Sequence, residues 1–172
     1  MSYRVLEPQS RDQVLSLLPP FPIVLVTTQS NIITIGQIEY FTFSPLRIGI
    51  AVAHSRYTYS LLKQERQFVV NVPDAKLIDV VKLCGSMSGK EANKFKAAGV
   101  SPEASLRVQA VSIAQCRAHI ECTVEREIEF EKRTWFVGRV VAARCEEGFD
   151  GRCALLCDRH EYAIPGETIA ER

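Results

Sequence analysis

The sequence predicts a mainly β protein, a small barrel of about six strands decorated with short helices. Short segments rich in Ile, Val and Thr recur along the chain, as at residues 32–35 and 67–72, and this composition favours strands. The helix-like segments are few and short, which does not fit the regular alternation of a βαβ sheet. Near the end of the chain, residues 134–144 alternate between two faces, as a barrel wall with one buried side would.

The first half of the chain divides into a short helix and a series of strands. Ser10 precedes an apolar pattern that Pro19 and Pro20 stop, which predicts a helix between them. A buried strand is predicted at residues 21–28, a turn at 29–31 and a second strand at 32–35. The two strands are therefore expected to form a hairpin. Further strands are predicted at 40–43, 48–53 and 67–72, with a helix at 58–65.

The second half begins with helices and ends with strands. Asp74 is the predicted N-cap of a helix that Gly85 closes, and residues 88–98 predict a polar helix stopped by Gly99. Strands are then predicted at 111–113, 118–127 and 134–144. Gly138 lies inside the last of these, which indicates a bulge or a close approach of a neighbouring backbone.

Length and composition predict one domain over residues 1–172, with a barrel core at about 20–148 and a C-terminal tail at 149–172. The net charge of +1 gives no reason to expect nucleic acid or an anionic membrane as a partner. The apolar runs are too short to span a bilayer, so we expect a soluble, cytoplasmic protein. The six cysteines form no CxxC pair, which disfavours a metal site and favours reduced, mostly buried thiols.

Three segments combine small, hydroxyl and basic residues where strands end: 31–37, 54–58 and 84–95. In the second, Ser55, Arg56 and Thr58 stand at the predicted start of a helix, where backbone N–H groups and a guanidinium can bind a phosphate. The third offers Ser88, the Gly89 backbone, Lys90 and Lys94 for the same purpose. The alternative is that Ser55 and Ser88 only cap helices, beside solvated cations.

The order and spacing of several motifs over about residues 22–148 resemble the flavin reductase-like, FMN-binding split-barrel family, which includes flavoredoxins. The matching motifs are Pro22-Ile23-Val24-Leu25-Val26-Thr27-Thr28, Asn31-Ile32-Ile33-Thr34, Ser55-Arg56-Tyr57-Thr58, Phe68-Val69-Val70-Asn71-Val72-Pro73, Cys84-Gly85 with Ser88-Gly89 and Lys94-Phe95, and Phe136-Val137-Gly138-Arg139-Val140. The sequence departs from the family pattern at Gly36-Gln37, at Asn93 where Asp is usual, and at Glu131-Lys132-Arg133, where many members have a Gly-Asp-His turn.

The resemblance implies a split β-barrel of Greek-key type that binds FMN at its rim, near the interface of a homodimer. By position, the family's ring-lining residues correspond to Asn31, Thr34, Ile35 and Gly36. Its ribityl and phosphate contacts correspond to Ala53, His54, Ser55, Arg56 and Thr58, and its phosphate pocket is completed by Ser88, Gly89 and Lys94. No metal and no catalytic acid or base are expected, because the flavin itself supplies the chemistry.

The leading hypothesis from this resemblance is an FMN-dependent oxidoreductase that accepts a hydride from NADH or NADPH. A non-enzymatic FMN electron carrier, fed by a partner protein, is the first alternative, and a split-barrel binding module without redox activity is the second. His54 is either a flavin contact or an exposed loop residue, His119 is expected to be structural, and His160 to be solvated. Trp135 is expected in the core or a dimer interface, with a flavin contact as the alternative.

Overall fold

The computed structural model of the protein describes residues 6–7, 9–149, 151, 154–158 and 161–166. Its helices are α1 Arg11–Leu15, α2 Tyr57–Glu65, α3 Ile78–Ser86 and α4 Lys94–Ala98, with a 3-10 turn at Ala75–Leu77. Its strands are β1 Phe21–Pro22, β2 Val24–Thr27, β3 Ile32–Ile35, β4 Ile38–Phe43, β5 Leu46–Ala53, β6 Gln67–Val72, β7 Pro102–Glu103, β8 Ser112–Ile113, β9 Ala118–Phe130, β10 Arg133–Cys145, β11 Leu156–Asp158 and β12 Glu161–Ala163. The prediction of a mainly β fold with short helices is confirmed.

The central feature is a seven-stranded antiparallel sheet in the order β3-β2-β6-β9-β10-β5-β4. Its two edge strands, β3 and β4, are consecutive in the chain and are joined by Gly36 and Gln37 alone. The sheet must therefore curl until its edges meet at this connection, which produces a split half-barrel. The Gln37 carbonyl accepts a hydrogen bond from the Ala51 N–H (3.0 Å), which connects the β3–β4 turn to β5.

Two apolar clusters stabilise the sheet from opposite sides. The first fills the barrel and includes Ile50, Phe68 and Phe136. The second lies outside β2 and β3, where α3, α4 and the segment around β11 cover them. β2 contributes Val26 to the first cluster and Leu25 to the second, so all four of its residues are buried. A continuous apolar run is what a strand covered on both faces requires.

A buried polar cluster ties β6 to its neighbours. The Asn71 amide donates to the Leu25 carbonyl (3.1 Å), and its oxygen accepts from the Ile113 N–H (2.9 Å) and faces Nδ1 of His119 at 2.9 Å. Burial, followed by the nearby Arg144, lowers the pKa of the His119 imidazole and favours its neutral form. His119 is a structural residue, as predicted, whereas His160 lies outside the described residues.

Two strand and helix predictions in the first part of the chain are corrected. The predicted strand at 21–28 is two strands: β1 pairs with β11 in a separate three-stranded sheet with β12, and only β2 joins the large sheet. The break occurs at Ile23, whose N–H donates to the Leu155 carbonyl (2.8 Å). Part of the predicted C-terminal tail therefore contributes strands. The predicted first helix ends at Leu15, before the two prolines that were expected to stop it.

Two helix boundaries near the candidate site are also corrected. Gly85 does not close α3 but lies inside it, where a Cβ would sit 3.5 Å from that of Thr34, so its small size lets α3 approach β3. The predicted helix at 88–98 begins only at Lys94, with Asn93 as its N-cap accepting from the Lys96 N–H (3.1 Å). Gly99 adopts a left-handed conformation at the end of this helix, as predicted.

Gly138 provides a test of the packing inside the barrel. The β9–β10 register shifts between Val137 and Gly138, and a Cβ on Gly138 would lie 2.8 Å from Cβ of Cys122 and from Cε1 of Phe68. We expect Gly138→Ala to lower the free energy of unfolding in urea by about 1–3 kcal/mol through overpacking. Gly166→Ala is the control, since no described residue lies within 4 Å of the added methyl. Equal effects of the two substitutions would contradict the close approach.

Candidate functional site

A small cavity of about 80 Å³ gathers most of the residues predicted for the phosphate side. It lies where the amino ends of β3, α2 and α4 meet the loop that follows α3. Arg56, Ser88 and Lys94, which are distant in sequence, all line it. Its complete lining is Asn31, Ile33, Ser55, Arg56, Tyr57, Thr58, Met87, Ser88, Gly89 and Lys94.

Lys94 forms one wall of this cavity and is almost fully buried. Its ammonium group donates to the carbonyls of Ile32 and Cys84, each at 2.8 Å, and so joins β3 to α3. Burial lowers the pKa of Lys94, and the neighbouring Arg56 lowers it further, although the Cys84 thiol opposes this. An ammonium has three N–H donors, so one donor remains beyond these two carbonyl bonds.

Asn31 and Gly89 shape the opposite wall. The buried Asn31 amide donates to the Thr58 hydroxyl (2.8 Å), which connects the start of β3 to the first turn of α2. A Cβ on Gly89 would collide with Oδ1 of Asn31, so only glycine lets the 88–93 loop approach this closely. The loop backbone is thereby placed at the cavity.

The amino end of α2 contributes backbone donors to the cavity. Arg56 is the N-cap of this helix, and no side chain caps it, which leaves the first backbone N–H groups available for an anion. Ser55 is therefore not a helix cap. Ser88 caps no helix either, because its hydroxyl accepts from the Lys90 N–H (3.3 Å) within a turn. The capping interpretation of these two serines is wrong.

A second, more open groove of about 300 Å³ adjoins the small cavity, and Ile33 and Arg56 line both. Apolar β-strand residues form most of its lining, and Arg56 and Arg133 also line it. Its complete lining is Phe21, Ile33, Thr34, Ile35, Gly36, Gln37, Ala51, Val52, Ala53, Arg56 and Arg133. The Thr34 hydroxyl already donates to the Val81 carbonyl (2.6 Å).

The two cavities form a cationic site. Among the residues that the structure describes, no carboxylate lines either one. Arg56 and Arg133 form no ion pair within the described part of the chain, so their charges are not neutralised there. Uncompensated cations beside uncapped helix N–H groups favour a ligand with a negatively charged end.

The structure separates the sequence-predicted residues into three groups. Thr34, Ile35 and Gly36, predicted on the ring side, line the groove. Asn31, predicted with them, lines the small cavity instead, and Ala53, predicted on the ribityl and phosphate side, lines the groove. His54 lines neither. Its Nε2 lies 3.0 Å from the Thr134 hydroxyl, and its ring packs on Tyr59 at 4.8 Å.

Sequence reasoning missed several lining residues. Tyr57 and Met87 line the small cavity next to predicted residues, but neither is a polar, cationic or glycine residue of the kind that indicates an anion site. Arg133 reaches the groove because β10 pairs with β5, which sets Arg133 opposite Ala53. That pairing joins segments 80 residues apart, and no local sequence signal predicts it.

Comparison with known proteins assigns the family. The profile of the Flavin reductase like domain matches residues 18–165, so the chain belongs to this family. An uncharacterised protein of Archaeoglobus fulgidus is 35% identical over 136 residues, which cover 78% of this chain and 77% of that protein. The resemblance found in the motifs is therefore confirmed.

Two solved structures share the fold closely. A flavoredoxin of Methanosarcina acetivorans superimposes with a TM-score of 0.82 at 23% identity, covering 88% of each chain. An FMN-binding protein of Thermus thermophilus, solved with bound 1-cyclohex-2-enone, gives a TM-score of 0.80 at 25% identity over 99% of each chain. Together with the curled seven-stranded sheet, these matches confirm the split-barrel fold.

Two further features of the described residues bear on function. No group of three or more His, Cys, Asp and Glu side chains within residues 9–149 and the shorter described segments is arranged to hold a metal ion. No helix in the described chain has the length and apolar character needed to cross a membrane.

Lys94 allows a test of the cavity's architecture. We expect Lys94→Met to lower the free energy of unfolding by about 1–3 kcal/mol, because the buried Ile32 and Cys84 carbonyls lose their donor. The measurement is urea denaturation of the ligand-free protein. Lys96→Met, an exposed position on the same helix, is the matched control and should change stability little. Unchanged stability of Lys94→Met would show that these two bonds do not join β3 to α3.

Proposed function

We propose that the protein binds FMN, with the phosphate in the small cavity and the isoalloxazine ring in the adjoining groove. One observation carries the proposal: a cationic cavity lined by hydroxyl and backbone donors adjoins a groove with a largely apolar floor, and Ile33 and Arg56 line both. The chemical groups of FMN follow the same order: an anionic phosphate, a short polyol chain and a planar ring. Membership of the Flavin reductase like domain family supports a flavin as the ligand.

The phosphate-side residues would each supply a hydrogen-bond donor. Ser55, Ser88, the Arg56 guanidinium and the first N–H groups of α2 converge on the cavity, and Lys94 retains one N–H beyond its two carbonyl bonds. A phosphate dianion needs several such donors, and charged ones contribute most. The same anion would provide the counter-charge that the buried Lys94 lacks among its protein neighbours.

The groove would hold and orient the ring. Its apolar floor, with Ile33, Ile35 and Ala51, favours burial of a planar aromatic group, while backbone groups of β3 and β5 are available at its edge. Bound FMN would supply the hydride and electron chemistry. Arg133, a cation on the groove wall, would stabilise negative charge that develops there.

The reaction that we propose is an FMN-dependent oxidation of NADH or NADPH, with electrons passed on to an acceptor. The family description supports a reductase, and the fold shared with a flavoredoxin supports electron transfer. No side chain is assigned as a general acid or base, because hydride transfer to a flavin requires none. The chain's task is to bind the cofactor, orient its ring and control access to it.

The proposal includes a homodimer, for which an exposed aromatic surface provides support. Phe41 packs edge-on against Trp135 at 5.6 Å between ring centroids, and Tyr40, Phe43 and Phe130 are exposed nearby on β4 and β9. Large exposed aromatic groups on one sheet favour burial against another protein surface. A concavity lined by Phe130–Arg133 and Trp135 shares Arg133 with the groove, so a second copy there would lie beside the proposed ring site.

Arg56 tests the phosphate assignment. We expect Arg56→Ala to weaken FMN binding by about 1.5–3 kcal/mol, the contribution of a charged hydrogen bond, with little change in stability because the side chain is exposed. FMN fluorescence titration measures the affinity, and urea denaturation measures the stability. Arg107→Ala is the matched control, since that exposed arginine lines neither cavity. Equal FMN affinities of the Arg56→Ala variant and the unmodified protein would show that Arg56 does not bind the phosphate.

Mixing the FMN-loaded protein with a nicotinamide donor tests the reaction. We expect NADH or NADPH to abolish the visible absorbance of the bound flavin anaerobically, because reduction removes the conjugation of the oxidised ring. Tight FMN binding without reduction by either donor would contradict the proposed reductase activity and favour the alternative of a non-enzymatic electron carrier. Failure of the protein to retain FMN would contradict both the reductase and the electron-carrier hypotheses, and would favour a binding module without redox activity.

A further inference from the structure

The small cavity has the size of a site for one small ion. Its volume of about 80 Å³ lies well below the roughly 300–1,000 Å³ typical of pockets that hold drug-sized molecules. It is too small for a planar flavin ring, whereas the adjoining groove, of about 300 Å³, falls within that range. The part of the site that attracts an anion is therefore separate in space from the part that would hold a ring.

Every charged side chain among the described residues that line the small cavity is a cation. These are Arg56 and Lys94, and the hydroxyl groups of Ser55 and Ser88 add hydrogen-bond donors. The Thr58 hydroxyl already accepts one hydrogen bond, so its own O–H can still donate. The nine-residue helix α2 begins here without a side-chain cap. Two cations, three hydroxyl groups and the first N–H groups of a helix together favour a tetrahedral oxyanion.

Lys94 gives the small cavity a need for an anion that does not depend on a flavin. The residue is 4% exposed, and its ammonium group donates to the Ile32 and Cys84 carbonyls, which supply acceptors but no full negative charge. A buried cation is stabilised by a counter-charge and by acceptors for each of its N–H groups. A small oxyanion in the cavity supplies both, whether or not a larger molecule is attached to it.

We propose that the small cavity binds free inorganic phosphate, and that phosphate in solution thereby regulates which flavin the protein holds. Phosphate in the cavity excludes FMN, because the phosphate group of FMN needs the same donors. The groove remains open in this state, so a flavin without a phosphate group, such as riboflavin, can still occupy it. The binding of free phosphate does not depend on the proposed function, whereas its different effects on the two flavins rest on that function.

Titration of the ligand-free protein with inorganic phosphate tests the anion site by itself. We expect saturable binding by isothermal titration calorimetry, which sodium chloride at the same ionic strength does not reproduce. Arg56→Ala should reduce phosphate affinity at least about tenfold, because a charged hydrogen bond is lost. Arg56 is exposed, so the variant is expected to fold. Arg107→Ala is the matched control and should leave phosphate affinity unchanged, since this exposed arginine does not line the cavity.

Fluorescence titrations of FMN and riboflavin, each with and without phosphate, test the regulation. With phosphate at about ten times its measured Kd, the apparent Kd of FMN should rise about tenfold by competition, relative to sodium chloride at equal ionic strength. Riboflavin should bind in the presence of phosphate, and its affinity should not fall. The two flavins differ only in the phosphate group, so opposite behaviour locates the ion in the small cavity.

The outcomes separate this proposal from the proposed function. Absence of saturable phosphate binding, or equal losses in Arg56→Ala and Arg107→Ala, would overturn the phosphate site even if FMN binds tightly. Unchanged FMN affinity in phosphate, or riboflavin binding that phosphate weakens or that is absent in its presence, would overturn the regulation. Failure of FMN to bind would contradict the proposed function, while phosphate binding that Arg56→Ala weakens would still support the anion site.

Discussion

The two sides of the candidate anion cavity are held together by the buried ammonium group of Lys94, which donates to one carbonyl from β3 and one from α3. A buried cation requires hydrogen-bond acceptors or a counter-charge, and in the ligand-free protein the two carbonyls supply acceptors but no full negative charge. The lowered pKa of Lys94 has burial as its principal cause. An anion in the cavity would supply the missing counter-charge, so the arrangement that joins helix to sheet also favours occupation of the site.

The parts of the fold that local signals determine could be predicted from the sequence. The strands at 32–35 and 67–72 have the predicted bounds, because a turn or a proline delimits short β-branched runs. The errors occur where packing between distant segments overrides local preference. Residues 88–93 stay out of the helix as Gly89 fits against Asn31, and Gly85 continues α3 because its lack of a side chain allows contact with Thr34.

One part of the candidate site could be predicted from local sequence patterns, and the other part could not. The small cavity is lined by residues at strand ends, at helix starts and in one loop, so small, hydroxyl and basic residues at those places indicated it. The groove depends instead on closure of the barrel. Arg133 reaches it through the pairing of β10 with β5, and Phe21 through the turn away from β2 at Ile23. Neither contact has a local sequence pattern, and His54, which does stand in a promising loop, is held by Thr134 instead.

The small cavity and the groove differ in polar character, and this difference restricts how a ligand can lie. Hydrogen-bond donors and cations line the small cavity, and Arg56 and Arg133 add positive charge beside the largely apolar floor of the groove. A molecule with one anionic end and one planar end would be bound in a single direction, with its ring toward Phe21. Reversal would place the anion on the apolar floor of the groove and leave the donors of the small cavity unpaired. The direction therefore follows from the charge of the small cavity and the apolar surface of the groove.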